Sequence, residues 1–109
     1  MAIISLDIYK EGSKTEIERT HTADGYDLMV GTVEDFMAVV DIDKIDDNKA
    51  IVKMIFESYS QIKALIMDVF PELTDEEFKR VKTSDLVRCV IALGTSVVES
   101  LNHLKTEKN

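Results

Sequence analysis

Two different rhythms of hydrophobic positions divide this chain. Near its start, Ile3, Ile4, Leu6 and Ile8 include a period-two set around polar Ser5 and Asp7, which predicts a strand over about 2–9. Glu11-Gly12-Ser13 is a turn signal. Beyond it, Thr15, Ile17, Arg19 and His21 alternate with Glu16, Glu18, Thr20 and Thr22, a partner strand over about 15–22 in which His21 is expected to be exposed. A lone two-stranded hairpin is marginal in water, so this one needs helices beneath it or a neighbouring chain beside it.

From there the rhythm becomes helical. Ala23 to Val30 predicts a short helical turn stopped by Gly31. Thr32 is placed to cap a helix over about 32–41, with Glu34 and Asp35 in its first turn and Phe36, Val39 and Val40 facing inward. After the polar connection DIDKIDDN, Ile51, Ile55, Tyr59, Ile62, Ile66 and Val69 fall on one face of a helix over about 49–70. Val52, Met54, Phe56, Leu65 and Met67 lie off that line, so the apolar arc is wider than a single core contact requires.

The stretch DVFPELTDEEFKRVKTSDLV is a marked joint between helices. Pro71 disfavours helical geometry at Phe70 and ends the helix there. Thr74 and Glu77 have capping-box spacing, and Leu73 and Phe78 stand at the two positions of a hydrophobic staple. These residues start a helix over about 74–81, whose end Lys79, Arg80 and Lys82 favour electrostatically. Thr83 or Ser84 then caps a last helix over about 84–104, striped by Leu86, Val90, Leu93, Val97, Leu101 and Leu104 and widened by Val87, Ile91 and Val98. Gly94 costs that helix about 1 kcal/mol against Ala unless it permits a close contact. The fold class is α+β, mainly α: an N-terminal β-hairpin in residues 1–22 and a helical bundle in 23–105, expected to form one domain over 1–109.

At 45% hydrophobic and 31% charged residues, the composition fits a soluble globular domain. No apolar run approaches the ~20 residues of a membrane span, and MAIISLDIYK lacks the basic start of a signal peptide. The single cysteine, Cys89, precludes an internal disulfide and fits a reducing cytoplasm. The formal net charge of −8 argues against a nucleic-acid partner, which calls for a basic face. Asp24, Asp27, Glu34, Asp35, Asp41, Asp43, Asp46 and Asp47 face Lys44 alone in their stretch. They form either a solvated face or a docking patch for a basic partner.

Little in the chain suggests catalysis. His21 and His103 are far apart, and one cysteine cannot complete a structural zinc site. DIDKIDDN begins like a calcium loop, but Ile45 takes the third ligand position, Asp46 replaces the turn glycine, and Val52 stands where the closing Glu belongs. Gly12, Gly25, Gly31 and Gly94 are dispersed and form no phosphate loop. Cys89 sits within apolar CVIAL and reads as a small core residue. No catalytic residue, metal or cofactor is assigned.

ADGYDLMVGTVEDFMAVVDIDK at 23–44, VFPELTDEEFKRVKTSDLVRCV at 69–90 and the N-terminal LDIYKEGSKTEIERT together resemble tail assembly chaperones of long-tailed phages and of prophages in Gram-positive bacteria. The resemblance covers nearly the whole chain, and its motifs are structural. It implies a non-enzymatic, self-associating protein of the host bacterial cytoplasm. Such a protein holds the long helical tape measure protein in solution and is missing from the mature virion. It also implies a second form, extended by ribosomal frameshifting, that recruits the tail tube protein. A structural tail component retained in the particle, of terminator or connector type, is the alternative. A third reading is a regulatory protein that mimics nucleic acid through its carboxylates.

The family brings no site residues, so candidate contacts come from physics. A holder of a helical client needs apolar surface of helical pitch. Met54, Phe56, Met67, Val87, Ile91 and Val98, on the surplus faces, are the candidates for client or subunit contact. Alternatively, they fill the core of the monomer.

Overall fold

The computed structural model describes the backbone of residues 3–107 and the side chains of residues 3–102. Strand β1 (Ile3–Tyr9) pairs antiparallel with β2 (Ile17–Asp24). Residue 2 of the expected first strand lies outside the described residues. β2 starts later than expected because the Ser13 hydroxyl accepts from the amides of Thr15 and Glu16, at 3.2 and 2.9 Å, and keeps them in the turn. Gly12, with φ of 77°, supplies the left-handed residue that this turn needs. Alternation buries Ile4, Leu6 and Ile8 of β1, and Leu6 stands opposite His21 in the ladder. The inner face of β1 packs on the last helix, so the hairpin gains its support from within the chain.

The helices are α1 (Val30–Val39), α2 (Asn48–Glu57), α3 (Tyr59–Val69), α4 (Asp75–Phe78) and α5 (Thr83–Glu107), with a 3-10 turn at Ile42–Lys44. The fold is therefore α+β and mainly α, a hairpin followed by helices. Several boundaries differ from expectation, each for a local reason. Ala23 and Asp24 finish β2 instead of entering a helical turn. The chain then reverses through a turn in which Asp24 accepts from the amides of Tyr26, at 2.9 Å, and Asp27, at 3.0 Å. α1 consequently begins at Val30, with Gly31 inside its first turn and the Thr32 side chain buried instead of capping.

The long helix expected over 49–70 is two helices broken at Ser58, where φ is −124° and ψ is 37°. The break separates two duties. α2 turns Ile51 and Ile55 inward and packs on α5, while α3 buries Ile62, Leu65, Ile66 and Val69 and packs on α1. Tyr59, expected on the core stripe, is 46% exposed as a result of this change of phase. α4 stops at Phe78 instead of near 81, because Arg80 is bound to the end of β1. α5 begins at Thr83, with Lys82 offering the carbonyl that accepts from Leu86 at 3.0 Å, so Thr83 and Ser84 lie within its first turn.

One cluster of buried side chains joins all these elements, from Ile4, Leu6 and Ile8 through Phe36, Ile51, Ile62 and Phe70 to Val90, Leu93 and Val97. Gly94 lies where α5 passes the chain before it. A Cβ there would meet Ile45 Cδ1, would lie 2.8 Å from Ile45 Cγ1, and would lie 3.1 Å from Phe36 Cζ. The α5 stripe is buried through Val97, Leu101 is 41% exposed, and the Leu104 side chain lies outside the described residues. Among the described residues no helix is long and apolar enough to cross a membrane.

Candidate interaction surface

The joint expected from Pro71, Leu73, Thr74, Glu77 and Phe78 forms as a structural unit. The Thr74 hydroxyl accepts from the Glu77 amide at 3.1 Å, and Glu77 Oε1 accepts from the Thr74 amide at 3.3 Å, a complete capping box. Leu73 and Phe78 are both buried across it. Tyr59 closes over Phe78 edge-on at 6.1 Å, and Lys63 reaches from α3 to Asp75 at 3.0 Å.

The joint is also tied to the hairpin by charged groups. Glu77 is buried, and its Oε1 faces His21 Nε2 at 3.2 Å while Oε2 lies 3.3 Å from Arg19 Nε. In this contact the carboxylate oxygen accepts and Nε2 donates. His21 is therefore buried, not exposed, and its ring also meets Phe70 edge-on at 6.2 Å. Arg80 makes the second tie. Its Nη1 donates to the Tyr9 carbonyl at 2.8 Å, and its own carbonyl accepts from the Tyr9 amide at 3.1 Å. A β-bulge between Ile8 and Tyr9 leaves Glu18 without a ladder partner, and its carboxylate lies 3.2 Å from Arg80. Arg80 also binds Glu76 with two nitrogens, at 3.0 and 2.8 Å, and this hydrogen bonding holds the Glu76 carboxyl below its ordinary range.

Three of the eight clustered carboxylates cap turns. Asp24 accepts from Tyr26, Asp41 from Asp43, and Asp47 from Lys49 and Ala50. The others in that group, Asp27, Glu34, Asp35, Asp43 and Asp46, make no side-chain ion pair with the described residues. Cys89 is buried, and burial pushes its thiol up to about 12, which makes it inert at neutral pH. No three His, Cys, Asp or Glu side chains among the described residues are grouped so as to hold a metal ion.

The predicted contact residues fall on three helices. Met54 on α2, Met67 on α3 and Val87 and Ile91 on α5 are half-buried against the core. Val98 is half-buried further along α5, and Val87, Ile91 and Val98 share one flank of that helix. Phe56 stands apart from these at 64% exposure, close to the Ser58 break.

Sequence reasoning missed the most uncovered apolar surface, on α1. Met29 is 79% and Val30 76% exposed, and Met37 and Tyr26 are exposed as well. Val30, Val33 and Met37 stand at i, i+3 and i+7, an outer flank in which Val30 and Met37 are exposed and Val33 is half-buried against the core, beside the buried line of Thr32, Phe36 and Val40. That spacing was available in the sequence as a second stripe beside Phe36. Comparison of the chain with protein-family models, curated proteins and solved structures gives no match.

Proposed function

We propose that this protein is a tail assembly chaperone of a long-tailed phage or prophage, one that holds the tape measure protein in solution while the tail is built. The observation that carries this reading is the apolar helical surface left in water after the core is complete. Among the described residues twenty hydrophobic side chains are buried together, yet Met29, Val30, Met37, Phe56 and Tyr59 remain exposed on helices or at their ends. At ~25 cal/mol per Å², covering such side chains yields several kcal/mol before the costs of association. A client that displays apolar stripes of helical pitch matches them. Methionines at 29 and 37 repack easily against varied partners.

Self-association belongs to the same proposal and is assigned to the α5 flank of Val87, Ile91 and Val98. The site of action is the host cytoplasm, and a frameshifted longer form would bring in the tail tube protein. The test is to follow the chain through infection or prophage induction. It should co-purify with the tape measure protein from lysates and be missing from purified virions by mass spectrometry. Stoichiometric retention in the particle would favour a terminator or connector subunit instead.

A further inference from the structure

We propose that the outer flank of α1 is a docking site for a cationic amphipathic helix, with apolar residues repeating at helical pitch and Lys or Arg beside and at the ends of that stripe. This inference rests on the client-holding function and specifies what segment of a client the protein selects.

Three observations carry it. First, the flank is apolar and uncovered. Met29 and Val30 are more than three-quarters exposed, and Met37 continues their line about two turns on. Second, the flank runs into a shallow groove of about 360 Å³ lined by Met37, Ala38, Val39, Val40, Asp41 and Ile42, which extends the contact beyond the end of α1. Third, the borders are acidic and unpaired. Asp27 precedes the helix, Glu34 lies on it next to the line of Val30 and Met37, and Asp43 follows it, all without an ion-pair partner among the described residues. Lys44 is the single cation between Asp24 and Asp47.

Charge complementarity chooses the occupant. A second copy placing the same flank face to face would bring like carboxylates together, which costs free energy and suppresses that pairing. An acidic helix is repelled for the same reason. A helix with Lys or Arg beside its apolar stripe satisfies both features at once: the stripe covers Val30, Met37 and the exposed edge of half-buried Val33, and its cations meet Glu34 beside the stripe and Asp27 and Asp43 at its two ends. α1 has 10 residues, about 15 Å, so it accommodates roughly three turns of a partner.

The experiment uses the full chain and two synthetic helical peptides with identical leucine stripes, one bordered by lysines and one by glutamates. Binding is followed by titration calorimetry and by amide chemical shifts. The lysine peptide should bind, perturb signals across residues 29–42, and weaken at least tenfold when salt shortens the Debye length from about 10 to about 3 Å. Glu34→Lys with Asp43→Lys should reduce its affinity at least tenfold. Val30→Ser with Met37→Ser should do the same without altering charge, separating docking from bulk attraction to an acidic protein. Equal binding of the glutamate peptide, shifts mapping away from α1, or indifference to the serine pair would overturn the proposal. So would conversion of an oligomer to monomer by the serine pair, which would assign the flank to a second copy. The two readings fail separately. A lysine peptide seated on α1 beside a tape measure protein that is never held removes the function and leaves the site. A client held by a chain whose α1 ignores the peptide does the reverse.

Discussion

Gly94 and Gly31 offer a matched test of the packing described above. Both glycines lie in helices without a positive φ, but a Cβ at Gly31 meets nothing within 4 Å, whereas one at Gly94 runs into Ile45 and Phe36. Helix propensity alone favours alanine by about 1 kcal/mol at an interior position. At Gly94 this gain is opposed by overpacking, which costs ~1–3 kcal/mol. The upper half of that range applies, because the strain is not confined to one flexible tip. Ile45 Cγ1, 2.8 Å from the added carbon, moves only by changing a stiff β-branched χ1. Phe36, 3.1 Å away, is a fully buried ring with no free space to enter. Gly94→Ala should therefore lower stability by about 1 kcal/mol net, while Gly31→Ala should raise it by about 0.5 kcal/mol through the entropy of the unfolded chain. Urea unfolding followed by circular dichroism measures both as shifts in midpoint at constant slope. Ile45→Ala supplies the third arm. It should cost about 2 kcal/mol alone, and the Gly94→Ala/Ile45→Ala double variant should be less damaged than the sum by about 1 kcal/mol. A Gly94→Ala chain stabilised as much as the Gly31→Ala chain would refute the close approach of α5 to Ile45 and Phe36.

Glu77→Ala should destabilise by about 3 kcal/mol, since it removes one half of the capping box and strands buried His21; Glu77→Gln, which keeps the bond to Thr74, should cost about 1 kcal/mol, and equal losses would mean the charge is idle. The Cys89 thiol is pushed from 9.0 up to about 12 by burial, so the folded chain holds this proton more tightly than the unfolded one. Its stabilising contribution is complete below about 9 and is lost as pH rises toward 12, and Cys89→Ala should remove that slope from the stability profile. The native chain should resist a thiol reagent at about pH 8 that labels the unfolded chain at once, and rapid native labelling would contradict the burial. Thr74→Ala should cost about 1 kcal/mol by thermal melting, the ordinary loss of an N-cap.

The joint was legible because its determinants are adjacent in sequence. A proline, a staple pair and a Thr–Glu box within eight residues leave few alternatives, and all of them sit as their spacing implied. The strand of Ile4, Leu6 and Ile8 was equally readable from alternation. What failed depended on distant partners. His21 looked like an exposed strand residue because Glu77, which faces it, is 56 positions away in the chain. The Ser58 break left no mark, since Ile55, Tyr59 and Ile62 keep a helical spacing straight across it and serine is no strong breaker. At the start of α1, Gly31-Thr32 carried the letters of a stop and a cap, but Asp24 had already organised the preceding turn and the helix simply ran through them. The candidate surface divided in the same way: width of the apolar arcs pointed to Phe56, but it could not separate half-buried Met54 and Met67 from side chains in open water. The α1 flank was passed over because Phe36 and Val40 already gave that helix an inward face.

The proposed client-holding role rests on the apolar helical surface left uncovered by the core. Co-expression with the tape measure protein tests it most directly, read as the fraction of that protein remaining in the supernatant after centrifugation. The wild-type chain should keep the client soluble. A Met37→Asp/Phe56→Asp chain, altered only at exposed positions and expected to unfold at nearly the same urea concentration, should leave the client in the pellet. A client that pellets with the wild-type chain, or stays fully soluble with the doubly substituted one, would rule out this role for the exposed surface.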